Sequence, residues 1–267
     1  MRARSDDLLV VDRYKINLQS ILHMLSSNTI WMGYPCGRLA SSLVAFISII
    51  FNKKLVLPIF DLPVEQARDL NESEMPAIRR LELKLLERIL VWKADVIVLA
   101  VPDFINYINP RTSNIVVFPS GVCEGQLKEI PPLLKADDVG RIITYAGSLD
   151  RSGMIDKISS MFSRIKGWQF WIAGGRSVPI FEHENTKYFG ELSYFQVQRF
   201  HRNADAVMVP YPKKEYYMIC IPLKMGEILS SCKPVISMRL PSIEKYLRYV
   251  GLEDNVIFVD ESFSISI

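Results

Sequence analysis

Three things are scarce in this 267-residue chain, and each absence removes a class of function. Basic residues never run long: Lys53-Lys54 and Lys213-Lys214 are pairs, and the formal charge is only +3. A duplex-binding groove needs a denser stripe, so nucleic acid is not an expected partner. Metal-ligand patterns are sparse too. His23, His183 and His201 have no ligand-like spacing, and no His, Asp or Glu cluster marks a metal site. Cys36, Cys123, Cys220 and Cys232 form neither a CxxC pair nor the framework of a small secreted domain, which reads as reduced thiols in a cytoplasmic protein. Long apolar runs are also missing. The longest, Leu43 to Phe51, falls well short of the ~20 residues of a spanning helix, and Leu8 to Val11 is too short for a signal peptide.

What is there is an ordinary globular composition, 49% hydrophobic and 23% charged. Short apolar runs alternate with longer amphipathic stretches, the pattern of βα units and a parallel sheet. Strands are expected at Leu8 to Asp12, Thr29 to Gly33, Leu55 to Phe60, Asp95 to Ala100 and Asn114 to Phe118. A second series follows at Ile142 to Ala146, Gln169 to Ala173, Thr186 to Phe189, Ala206 to Val209, Pro234 to Ser237 and Val256 to Val259. Between them Lys128 to Lys135 carries Pro131-Pro132, which stiffens a connector and excludes regular structure. The expected domains are therefore 1–130 and 131–267. Lys93-Ala94-Asp95-Val96 is echoed by Asn203-Ala204-Asp205-Ala206, as two similar domains in tandem, or an accident of sequence, would produce.

The helix before the fourth strand is the clearest. Ile78, Leu81, Leu85, Ile89 and Trp92 recur at three- and four-residue spacing and are expected to face the sheet, with Glu82, Glu87 and Arg88 facing away.

Ligands of open α/β sheets bind at the carboxyl ends of strands, so the loops after strands are where chemistry belongs. Tyr145-Ala146-Gly147-Ser148-Leu149-Asp150-Arg151 offers a glycine for close backbone approach and an arginine for a diphosphate. A plain turn would read the same way. Trp171-Ile172-Ala173-Gly174-Gly175 and Tyr188-Phe189-Gly190-Glu191-Leu192 repeat the strand-then-glycine pattern. Pro222-Leu223-Lys224-Met225-Gly226-Glu227 reads as a helix start, with Pro222 in the first turn and Lys224 and Glu227 on one face. Lys224 suits a diphosphate and Glu227 suits vicinal ribose hydroxyls; an exposed i,i+3 ion pair is the competing reading.

Taken in order, those segments, with Asn203 to Pro210 and Pro222 to Ser237, resemble the C-terminal half of the group 1, family 4-like GT-B glycosyltransferases. Ala94 to Val98 and Asn114 to Val122 resemble the end of that family's N-terminal domain. The resemblance implies an α/β fold of two Rossmann-like domains facing a central cleft, in a compact version with a shortened N-terminal domain. It implies a retaining, metal-independent transferase that uses a nucleotide-diphosphate sugar and no other cofactor. By the same resemblance Glu227 holds the donor ribose, Arg151 lies near the residues that bind the diphosphate, and the loops at Gly174 and Gly190 to Leu192 frame the nucleobase. Gly147, Ser148, Pro222, Leu223 and Lys224 complete the expected donor site.

Two residues are catalytic candidates: Lys224, stabilising the departing diphosphate, and Asp61, after the apolar run Leu55 to Phe60, the one candidate near the reacting carbon. Asp61 equally suits a cap beside Pro63. The sequence departs from the family at Ile219, where the first glutamate of the family's pair would stand, and it has no lysine in the first loop. A non-catalytic nucleotide-sugar binding module, or a subunit of a larger transferase, is therefore the alternative. The acceptor is a glycan, lipid or protein. The apolar and basic residues of Arg38 to Lys54 permit a peripheral membrane contact, and a homo-oligomer is left open.

Overall fold

A computed structural model describes residues 17–69, 75–119, 140–149, 154–175 and 183–260. The expected strand at Leu8 to Asp12 and the connector at Pro131-Pro132 lie outside the described residues. The chain divides into two compact units, residues 1–119 and 120–267.

The first unit runs α1 (Leu18–Ser26), β1 (Thr29–Trp31), α2 (Arg38–Ile50), β2 (Lys54–Ile59), α3 (Pro63–Asp69), α4 (Ala77–Lys93), β3 (Val96–Leu99), α5 (Ile105–Ile108) and β4 (Ile115–Val117). Its four strands are parallel and lie in sequence order, β1-β2-β3-β4. Right-handed crossovers that always step in one direction leave the connecting helices on one face of the sheet. Burial follows. Leu55, Leu57, Ile59, Ile97 and Leu99 point to the covered face and are almost fully buried, whereas Trp31 and Val116, on the other face by register, are 65% and 49% exposed.

The second unit runs β5 (Arg141–Ala146), α6 (Ile155–Phe162), β6 (Trp168–Ala173), β7 (Thr186–Tyr188), α7 (Tyr194–Arg202), β8 (Ala206–Val209), α8 (Glu215–Ile219), α9 (Met225–Leu229), β9 (Val235–Met238), α10 (Pro241–Val250) and β10 (Val256–Val259). Its sheet is also parallel, but the order is β10-β9-β8-β5-β6-β7. From β5 the chain winds outward through β6 and β7, then returns to the other side of β5 and winds the opposite way. This doubly wound path puts helices on both faces, which is why every residue of β8 and β9 is buried. Between β5 and β8 lies the topological switch point.

The echoed segments have the same physical job. The Asp95 backbone N–H donates to the Leu55 carbonyl at 2.9 Å, and its carboxylate accepts from the Leu55 N–H at 2.9 Å. Asp205 does the same to Ile142, at 2.8 and 2.7 Å. In each unit an aspartate just before a strand latches the first residues of the neighbouring strand.

Helix α4 corrects the reading of its periodicity. It turns Glu87, Leu90 and Val91 inward and leaves Ile78, Leu81, Leu85 and Trp92 between 53% and 79% exposed. The cause is a hydrogen-bonded trio of one lysine and two glutamates. Lys84 Nζ reaches Glu65 of α3 at 2.8 Å and Glu87 at 2.6 Å, so the polar face can be buried. The buried Tyr34 hydroxyl faces Glu87, and burial together with that carboxylate pushes the phenol far up.

Candidate functional site

The carboxyl ends of β5, β6 and β7 are joined by their loops. The Gly147 N–H donates to the Ala173 carbonyl at 3.0 Å, the Gly174 N–H to Gly190 at 2.9 Å, and the Leu149 N–H to Gly175 at 3.4 Å. The glycines are there for contact. Gly174 sits at φ +145°, and a Cβ on it would collide with the Gly147 carbonyl oxygen. A Cβ on Gly147 would collide with Lys224 Nζ and lie 2.8 Å from the Tyr145 hydroxyl. Three loops read separately in the sequence thus form one stacked edge, and Lys224 comes to it from the segment between β8 and β9.

Lys224 is the centre of this arrangement. Its Nζ donates to the Ala146 carbonyl at 2.9 Å, at the carboxyl end of β5. The Tyr145 ring lies 4.6 Å from the ammonium and the Tyr211 ring 5.5 Å. Tyr211 follows β8, so the lysine rests where β5 and β8 diverge. Desolvation lowers its pKa to about 8, against the opposing pull of Glu227. An ammonium has three donors. With one given to Ala146 and no other hydrogen bond among the described residues, two can serve anionic oxygens.

Glu227 is half-buried in the first turn of α9, and burial raises its carboxyl pKa while Lys224 lowers it. The two form no ion pair, so the competing reading of an exposed i,i+3 bridge is not what the side chains make. The helix itself starts later than expected. Pro222 and Leu223 belong to a turn in which the Met225 N–H bonds to the Pro222 carbonyl at 2.9 Å, and Lys224 is the N-cap. This turn swings Lys224 back over β5 instead of along the helix face.

The remaining expected residues fall in different places. The Ser148 carbonyl accepts from the Tyr145 hydroxyl at 2.8 Å, holding the first loop. Leu192 packs against the core of Ile142, Ala146, Trp171, Ala173 and Phe200. Arg151 lies outside the described residues. Asp61 belongs to the first unit, where it follows β2 and precedes α3. Ile219 closes α8 with no carboxylate at that position.

Three neighbours of the site had no sequence signal. In the sequence Tyr145 is only part of a strand end, Tyr211 lies beyond any recognised segment, and His201 is a histidine without ligand spacing. The His201 ring is 1% exposed beneath β5, with Nδ1 2.9 Å from the Thr144 hydroxyl. Burial, with the Lys224 charge nearby, drops its pKa to about 3, so the imidazole stays neutral. Among the described residues no group of three or more His, Cys, Asp or Glu is arranged to hold a metal ion, and no helix is long and apolar enough to cross a membrane.

No protein-family profile matches the chain, and no curated protein matches it. Solved structures do. The sucrose-phosphate synthase from Thermosynechococcus elongatus superposes with a TM-score of 0.66 over 91% of this chain and 65% of its own, at 16% identity. HepE from Anabaena, solved with UDP-glucose, gives 0.57 over 85% of this chain and 64% of its own, at 11% identity. A UDP-forming trehalose-phosphate synthase from Burkholderia xenovorans gives 0.53 over 91% and 68%, at 10% identity. The chain spans about two thirds of these proteins. Its two parallel α/β sheets match their two Rossmann-like domains, and the fold is that of the GT-B glycosyltransferases.

Proposed function

We propose that the chain is the donor-binding and catalytic part of a metal-independent, retaining glycosyltransferase that uses a nucleotide-diphosphate sugar. One observation carries this reading: among the described residues Lys224 makes no ion pair and rests at the switch point of the second unit, its Nζ on the Ala146 carbonyl and against the backbone of Gly147. Charge that develops on a departing diphosphate is stabilised most by a preorganised cation in a dry site. Lys224 supplies that charge without a divalent ion. The unpaired Glu227 carboxylate accepts from the ribose hydroxyls, and Gly147 and Gly174 let the diphosphate approach the backbone. In the retaining mechanism the donor phosphate takes the acceptor's proton, so no strong protein base is required. Asp61 is the acceptor-side carboxylate of this reading. HepE was solved with UDP and UDP-glucose, which makes UDP-glucose the first donor to try.

A second reading has its own observation. With Ile219 in place of an acid, the chain binds the nucleotide sugar without transferring it, alone or as part of a larger transferase.

Thermal stabilisation and nucleotide release with a panel of nucleotide-diphosphate sugars separate the two. Protection with release on adding acceptor alcohols, and an unchanged anomeric configuration by NMR, is the expected result; protection without release supports the second reading. Lys224→Met should weaken the donor about ten- to a hundred-fold, the worth of a lost charge-assisted hydrogen bond. Because an anion needs the protonated lysine, affinity should fall as pH rises through about 8, and Lys224→Met should abolish that pH dependence. Donor affinity untouched by both Lys224→Met and Glu227→Ala would sink the site.

A further inference from the structure

The outer surface of the helix layer in the first unit is not that of an ordinary solvated face. On α4, Ile78, Leu81, Leu85 and Trp92 form an apolar stripe at helical spacing, all more than half exposed. α2 packs beside α4 on the same face of the sheet, tied to it by the Arg38–Glu82 ion pair, and exposes Leu39 and Phe46. An apolar surface of this kind marks a contact with something apolar.

Charge says what that something is. From Arg13 to Phe60 the chain contains no Asp or Glu at all, while Arg38, Lys53 and Lys54 lie in that stretch. On α4 the two carboxylates are already engaged, Glu82 with Arg38 and Glu87 with Lys84. Arg79, Arg80 and Arg88 are exposed and make no ion pair among the described residues, and Arg111 lies over the Trp92 ring at 5.6 Å. Among the described residues the stripe is thus bordered by arginines, Arg79, Arg80 and Arg88, that no carboxylate engages.

We infer that this helix layer docks on an anionic lipid surface, with α4 lying in the interfacial plane and its arginines among the headgroup phosphates. Leu, Ile and Trp on one side with Lys and Arg beside them is the composition of an interfacial helix. A second copy of the chain fits less well. Two such faces brought together would set unpaired arginines against arginines, which disfavours association. The inference does not depend on the transferase reading.

The test is flotation of the full chain with phosphatidylcholine vesicles, with and without phosphatidylglycerol. Binding should require the anionic lipid and weaken with salt. Arg80→Glu and Arg88→Glu should each lower it by about five-fold or more, and Leu81→Glu or Leu85→Glu by about ten-fold or more. These positions are exposed, so the thermal midpoint should hold, which separates lost docking from lost folding. The tryptophan emission should shift to the blue on anionic vesicles, and Trp92→Phe should remove that shift. Equal binding to neutral vesicles, no binding to either, or binding indifferent to all four charge-bearing substitutions overturns the inference. So does a concentration-dependent dimer in sedimentation that Leu85→Glu converts to monomer, which would assign the face to a second copy.

Discussion

Lys84 in the first unit and Lys224 in the second are both drawn out of water, and they are treated in opposite ways. Lys84 touches two carboxylates, Glu65 and Glu87, and its pKa is raised by them despite a desolvation that lowers it. Lys224 touches a carbonyl and two aromatic rings, and its pKa falls to about 8. A lysine with its partners built in has completed its electrostatics and serves to hold α3 and α4 together. A lysine whose partners are only a carbonyl and π faces is held short of neutralisation. That difference, more than any motif, is what supports placing the proposed donor site in the second unit.

The comparison can be broken most forcefully at Lys84. Removing it strands two buried carboxylates, and Lys84→Met should cost about 3–5 kcal/mol in urea unfolding. The triple variant Lys84→Met, Glu65→Leu, Glu87→Leu should recover most of that loss, because apolar groups can replace a buried ionic cluster without penalty. If the single substitution is mild, the trio is not structural and the contrast with Lys224 fails. Gly174→Ala comes next. It forces a side chain into a backbone conformation at φ +145° and onto the Gly147 carbonyl, so about 2–4 kcal/mol is expected, with the stacked glycine edge lost alongside.

Acid sharpens the same contrast from the other side. His201 is neutral down to about pH 3 when folded, whereas an unfolded histidine takes up its proton near pH 6.5. Between those values the unfolded chain binds more protons, so stability of the second unit should fall as pH drops from about 6.5 toward 3. His201→Gln keeps a partner for Thr144 and should flatten that slope in pH-resolved unfolding. A slope unchanged by the substitution would mean that other groups dominate.

Much of this was readable beforehand, and for a physical reason. Strands of a parallel sheet covered on both faces are continuous apolar runs, so Ala206–Val209, buried at every residue, stands where its composition marks it. Gly147 and Gly174 at the strand ends were legible because close backbone approach admits no side chain there, and Gly190 because its φ of +73° favours glycine. The packed face of α4 was not, since periodicity reports two compatible faces and only the tertiary trio at Lys84 decides between them. Tyr145, Tyr211 and His201 were silent for a related reason. Their importance is a distance to Lys224, and no local pattern encodes a partner reached through the fold. The helix start at Pro222 was misplaced because the turn that follows it directs Lys224 back to the Ala146 carbonyl.

The smallest effect is also the most discriminating within the glycine edge. Gly190 lies at φ +73°, yet no atom stands within 4 Å of where a Cβ would be. Its substitution therefore meets only the left-handed backbone penalty, about 1–2 kcal/mol for Gly190→Ala. Gly190→Asn should cost less, because asparagine visits that region more readily. The carbonyl that accepts from Gly174 is retained in both variants, so the stacked loops persist. If Gly190 frames the nucleobase, donor affinity should drop in both variants by more than the stability loss alone explains, and the larger asparagine should bind worse while folding better. Affinity that tracks stability instead would confine the donor to the Gly147, Gly174 and Lys224 side of the edge.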